Sequence, residues 1–294
     1  MKQTRILDGI GRALALACLA AGVLPAQAAL LSSESFNVGA GGYTTGDVAG
    51  QASTDAFYSG GWFKGDPTHD VQIVGTGLSY NGLLSSGGAL ATGAVGRGGR
   101  NLATPWDNNT VGTYYISFLA NFGVGGTHHR VVEAWNAPSL AGADGTRSLQ
   151  LGYSTFTGLG TTLSLSINNG SDGVDESDFD NNVELAADGT THLFVLRYDL
   201  ANTAGGDTVY GYMDPADLSF EPGSANVLMT GFDFGLAAFG SVVNFVFDGT
   251  PTGTIDEIRF GDTWNDVLPV PEPSSLALLV LGGVGLVAAR RKQA

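Results

Sequence analysis

Apolar and polar positions alternate along this chain at a period of two, and the alternation restarts after each cluster of turn-forming residues. The longest example is residues 113–122, TYYISFLANF. Tyr114, Ile116, Phe118, Ala120 and Phe122 point one way, and Tyr115, Ser117, Leu119 and Asn121 the other. That period, with aromatic and β-branched residues, predicts a strand in a central position. Residues 192–200 (HLFVLRYDL) are apolar on both faces and predict a buried strand. Residues 131–135, 148–153, 162–167, 208–213, 242–247 and 254–260 complete the long strands. Within 162–167, leucines alternate with serines, so one face is wet. Short strands are expected at 34–38, 71–74, 78–80 and 100–103. Residues 39–65 are glycine-rich, carry Phe57, Tyr58, Trp62 and Phe63, and read as a long ordered loop. No stretch between the two ends of the chain follows a 3.6-residue period, although residues 262–265 can begin a single helical turn. Many short strands without helices to cover a parallel sheet predict an all-β fold, an antiparallel two-sheet sandwich.

The two ends of the chain follow other rules. Residues 1–12 carry Lys2, Arg5 and Arg12, residues 13–24 are apolar, and Ala26-Gln27-Ala28 is a small-x-small cleavage site. That order describes a secretory signal peptide over residues 1–28. Cys18, the single cysteine, lies in the apolar part, so the mature chain has neither disulfide nor thiol chemistry. At the other end, Pro271-Glu272-Pro273 stops any arriving strand, because proline has no N–H to pair. An apolar run follows over 276–289, and Arg290, Arg291 and Lys292 close it. The sixteen residues from Ser274 to Ala289 make a helix of roughly 24 Å, short for a ~30 Å hydrocarbon core unless the arginines snorkel.

This tail resembles the PEP-CTERM tail of exported bacterial proteins, through Pro271, Glu272, Pro273, the apolar segment and Arg290-Arg291. The resemblance implies an exosortase and the general secretion machinery as partners. It also implies membrane contact through a short C-terminal apolar helix, and delivery to the surface or extracellular polymer of a Gram-negative bacterium. Three regions result: signal peptide 1–28, body 29–269, sorting tail 270–294. In the body, residues 114–119, 193–199 and above all the closing 255–260 (IDEIRF) resemble the concanavalin A-like, or laminin G-like, jelly roll. That superfamily holds lectins, glycan hydrolases and adhesive modules, so it implies a fold and not an activity.

Charge narrows the functions. The whole chain carries −15, and the body alone is near −19 because six of the 13 basic residues lie in the two ends. Phosphate-backbone binding needs clustered Lys and Arg, so nucleic acid is excluded as a partner.

Candidate chemistry is sparse. A retaining glucanase needs two carboxyl groups about 5 Å apart. The nearest run is Glu176-Ser177-Asp178-Phe179-Asp180-Asn181, in a polar loop. Asp256 and Glu257, as neighbours on a strand, are expected on opposite faces. There is no Gly-x-Ser-x-Gly elbow. His69, His128, His129 and His192 lack zinc spacing, and His128-His129 reads as a solvated turn. Residues 168–182 offer Asp172, Asp175, Glu176, Asp178 and Asp180 as oxygen donors for calcium, the only cofactor the sequence suggests. Val183 stands where a helix-loop-helix calcium loop needs glycine, so a solvated acidic loop competes with that reading. For sugars, Trp62 and the Trp106-Asp107-Asn108-Asn109 run can line a groove, or the indoles can pack as a lid over the sandwich. These readings predict a non-catalytic exported surface protein, with a lectin-like glycan binder second and a glycan hydrolase third.

Overall fold

The computed structural model describes residues 30–268, apart from short internal stretches of which the longer are 105–108, 123–127, 136–146, 155–161, 168–177, 185–188, 233–241 and 248–252. The described strands form two antiparallel sheets. The nine-stranded sheet runs β14 (Val227–Phe232), β13 (Asp207–Met213), β12 (Thr191–Leu200), β7 (Gly112–Phe122), β16 (Gly253–Gly261), β5 (Ala89–Thr92), β4 (Val71–Val74) and β2 (Gly46–Asp47), with β1 (Leu30–Glu34) also paired to β16. The seven-stranded sheet runs β11 (Asp178–Glu184), β10 (Thr162–Ile167), β9 (Arg147–Ser154), β8 (His128–Trp135), β15 (Val242–Phe247), β6 (Gly96–Leu102) and β3 (Tyr58–Lys64). Neighbours far apart in sequence, such as β7 between β12 and β16, are the mark of a jelly-roll sandwich.

The predicted central strand is central. β7 places Ile116, Phe118, Ala120 and Phe122 in the core between the sheets. Its partner β12 sets Phe194 directly opposite Phe118, and the two rings stack with centroids 5.2 Å apart. The double-sided burial expected of β12 is also found. Phe194, Leu196 and Tyr198 enter the main core, while Leu193 and Val195 enter a second cluster on the outer face of the nine-stranded sheet.

Several elements depart from the sequence pattern. The expected loop 39–65 contains β2 and β3. Gly60 and Gly61 interrupt the alternation of β3, and its register shifts between Ser59 and Phe63. The first strand covers Leu30–Glu34 and not 34–38, because Phe36 turns the chain at φ 49°. Residues 78–80 form no strand; Tyr80 bridges only to Leu83. His128 and His129 begin β8 and are not in a turn. Asp178 and Asp180 lie on β11, opposite Ile167 and Leu165 of β10, and not in a loop.

The outer face of the nine-stranded sheet is covered by α1 (Trp264–Val267), the predicted helical turn. Asp266 Oδ2 accepts the Thr263 N–H at 2.9 Å and fixes its start. Trp264 is edge-on to Tyr115 and Tyr212, at centroid distances of 6.4 and 5.3 Å. Ser117 Oγ donates to the Val267 carbonyl at 2.6 Å. The described chain therefore ends pinned to the middle of the sheet.

Candidate binding site

Residues 214–226 also cross this outer face, held at both ends. Asp214, at φ 48°, accepts the Leu193 N–H at 2.9 Å and faces His192 Nδ1 at 2.6 Å. Burial works to raise the Asp214 pKa, but His192 and the Leu193 amide outweigh it and hold the carboxyl below its usual range. At the far end Asn226 N–H donates to the Gly211 carbonyl at 2.9 Å, and Met213 N–H donates to Asn226 Oδ1 at 2.8 Å.

Between these pins the segment brings Glu221 down onto the sheet. Strand alternation leaves Arg197, Tyr210 and Tyr212 on this face, since Tyr198 and Val209 point into the core. Glu221 Oε1 accepts from Tyr212 Oη at 2.5 Å and from Arg197 Nη1 at 3.0 Å, and its Oε2 accepts from Tyr115 Oη at 2.7 Å. Arg197 also forks onto Asp199, with Nε and Nη2 at 2.9 and 2.7 Å from the two oxygens. Its guanidinium lies 4.8 Å above the Tyr210 ring. Burial pushes the Glu221 pKa up, yet Tyr212, Tyr115 and Arg197 together pull it below the usual carboxylate range. Burial and the same carboxylate push both tyrosine phenols well above their usual value.

The result is a pocket of about 650 Å³ lined by Arg197, Tyr210, Tyr212, Glu221, Ser224 and Leu228, among others. Its size falls within the ~300–1,000 Å³ of small-molecule sites. Leu228 is 43% exposed, and Phe220, next to Glu221, is 73% exposed. None of these residues stands out by periodicity. The available signal was Phe220-Glu221-Pro222-Gly223, an aromatic and a carboxylate on a turn dipeptide.

The residues singled out from sequence lie elsewhere. Trp62 is 2% exposed, packs on Phe36 and donates its indole N–H to Tyr43 Oη at 3.0 Å. The groove-lining position expected for it is corrected: β3 turns this ring inward, and it presents no face to a sugar. Asn109 is exposed ahead of β7, whereas Trp62 is buried, and Trp106 and Asp107 fall outside the described residues. So do Asp172, Asp175, the cleavage residues Ala26 and Ala28, and the sorting residues Pro271, Glu272, Pro273, Arg290 and Arg291. Among the described residues no three His, Cys, Asp or Glu side chains gather as for a metal.

Asp256 and Glu257 do not sit on opposite faces. β16 is bulged between Asp256 and Arg259, with Glu257 at φ 51°. Ile255 and Ile258, three apart, both enter the main core, so the bulge turns the two carboxylates to the outer side together. Asp256 is fully buried and accepts the Leu78 and Glu257 N–H groups at 2.8 and 2.7 Å. Burial first, and Glu257 as a further push, raise its pKa to about 8 against the pull of those amides. The adjoining cavity, between Leu83 and Glu257, holds about 10 Å³, at most one water.

Residues 269–292 match the PEP-CTERM protein-sorting motif. The chain thus carries the signal of an exported, exosortase-processed protein destined for the cell envelope. Among the described residues no helix is long and apolar enough to cross a membrane, and the apolar run of the tail lies outside them. No curated protein matches the chain. Among solved structures it is similar to domain 4 of AbnA, a GH43 extracellular arabinanase from Geobacillus stearothermophilus, in complex with arabinotriose (16% identity, TM-score 0.39, 82% of this chain and 98% of that one). It is also similar to an endo-1,3-beta-glucanase from Streptomyces sioyaensis (12%, TM-score 0.45, 81% and 98%). A third is the metal-free carbohydrate recognition domain of Emp46p (10%, TM-score 0.41, 68% and 88%).

Proposed function

We propose that this is a protein of the cell surface or extracellular polymer of a Gram-negative bacterium, and that its sandwich is a non-catalytic module adhering to extracellular polysaccharide. The observation that carries the reading is the junction of body and tail. The sorting motif begins at residue 269, and Leu268 before it is 1% exposed against the sheet. In sequence, the sorting motif thus follows directly on the last buried residue of the body.

Among the described residues, two carboxylates support binding over hydrolysis. Glycoside hydrolysis needs a proton-donating carboxylic acid and a second carboxylate, both in reach of the sugar. Glu221 reaches the pocket but is held ionised. Asp256 keeps its proton to about pH 8 but is fully buried.

The test compares the full chain with one ending at Leu268, expressed in a host that has an exosortase. Fractionation should find the full chain in the surface and polymer fractions and the shortened one elsewhere. Identical distribution of the two would refute the reading.

A further inference from the structure

We propose that the pocket over β12, β13 and β14 binds a sugar chain without negative charge, and rejects uronate, sialylated and sulfated chains. This rests on, and deepens, the reading of the body as a polysaccharide-binding module.

The charge count decides the class. One guanidinium, Arg197, faces two carboxylates, Asp199 and Glu221. A ligand carboxylate or sulfate would add a third anion beside a cation that is already matched on both sides. The long-range field points the same way, because the body is near −19. A hydroxyl-bearing ligand meets no such penalty. Of the five guanidinium N–H groups, three are spent on Asp199 and Glu221, and Arg197 itself lines the pocket. Glu221 accepts from three donors and retains lone-pair capacity for a hydroxyl. Ser224 adds a group that both donates and accepts.

The polar groups are fixed before any ligand arrives. Tyr115, Tyr212 and Arg197 lock the Glu221 carboxylate on the sheet, so little ordering is left for binding to impose. Apolar surface stands beside them. Four large hydrophobic residues are strongly exposed among the described residues; one of them, Leu228, lines this pocket, and another, Phe220, directly precedes the lining residue Glu221 in sequence. The C–H faces of a pyranose pack on such surface while its hydroxyls reach the polar groups.

Two variants probe the site without touching Arg197 or Glu221. Phe220→Ala removes an exposed ring, and Ser224→Trp fills the pocket from the covering segment. The full chain is run in affinity electrophoresis against dextran, laminarin, arabinan and chitosan oligosaccharides, and against alginate and dextran sulfate. Melting temperature checks the fold of each variant. The expected result is retardation by at least one uncharged or amino polysaccharide and by neither acidic one. Each variant should weaken it about tenfold or more, the loss of roughly one good stacking or packing contact. Retardation by alginate or dextran sulfate, or full binding by both folded variants, overturns this inference and leaves the polysaccharide-binding reading standing. Binding to none of the six probes removes both.

Discussion

Arg100 on β6 and Glu34 on β1 form an ion pair between the two sheets, with Nη1 2.7 Å from Oε2 and both side chains 2% exposed. The guanidinium also donates to the Gly60 carbonyl at 3.1 Å and lies 4.6 Å over the Tyr58 ring. A charge this deep is tolerated only because every side of it is matched. Removing one partner strands the other. Arg100→Met and Glu34→Gln are each expected to cost about 3–5 kcal/mol of unfolding free energy in urea titrations. The double variant Glu34→Leu with Arg100→Met should recover most of the loss. Additive losses would show that the pair is not acting as a unit.

Asp256 gives stability a pH dependence of unusual sign. Its folded pKa of about 8 lies above the ordinary 3.8, so between those values the folded state holds a proton that the unfolded chain has released. Its contribution is complete below about pH 3.8 and is lost as pH rises through about 8. Asp256→Asn cannot ionise, and should lose one amide hydrogen bond at every pH but lack this decline. Urea midpoints from pH 5 to 9 check it, and parallel curves for the two proteins would contradict it.

Gly88 is packed where no side chain fits. A Cβ there would fall 1.9 Å from the Phe36 carbonyl oxygen, which is backbone and cannot rotate away. Gly88→Ala should therefore cost about 1–3 kcal/mol or more through overpacking. Gly223, whose Cβ would meet nothing within 4 Å and whose φ is ordinary, should accept alanine with little change. Thermal melts of the two variants compare them directly.

Trp62 is now a core residue, and its replacement should read as such. Trp62→Ala is expected to lose about 3–5 kcal/mol of stability, and it removes the N–H that Tyr43 Oη accepts. A variant with wild-type melting but altered sugar binding would reinstate it as a ligand contact.

What the sequence disclosed depended on whether a local period was preserved. β10 and β15 fall on the residues expected, and β7 and β12 each differ by one at the start, because their apolar runs are not broken by glycine or proline. β3 was hidden because Gly60 and Gly61 carry no side chain to mark a face. β11 was hidden because Asp178, Asp180 and Glu184 give a strand the composition of a loop. The bulge that turns Asp256 and Glu257 to one side has no glycine to announce it, since Glu257 itself takes the positive φ. The pocket was illegible for a different reason. Arg197, Tyr212 and Glu221 meet only through the pairing of β12 with β13 and the crossing of 214–226, neither of which leaves a spacing signature.

The account stands or falls on the tail, and mass spectrometry of the C-terminus of protein recovered from the envelope of its native host tests it most directly. The expected spectrum lacks the peptide containing Arg290, Arg291 and Lys292, and that peptide returns when the exosortase is deleted. Envelope-located protein that still ends at Ala294 in the presence of active exosortase would contradict the account.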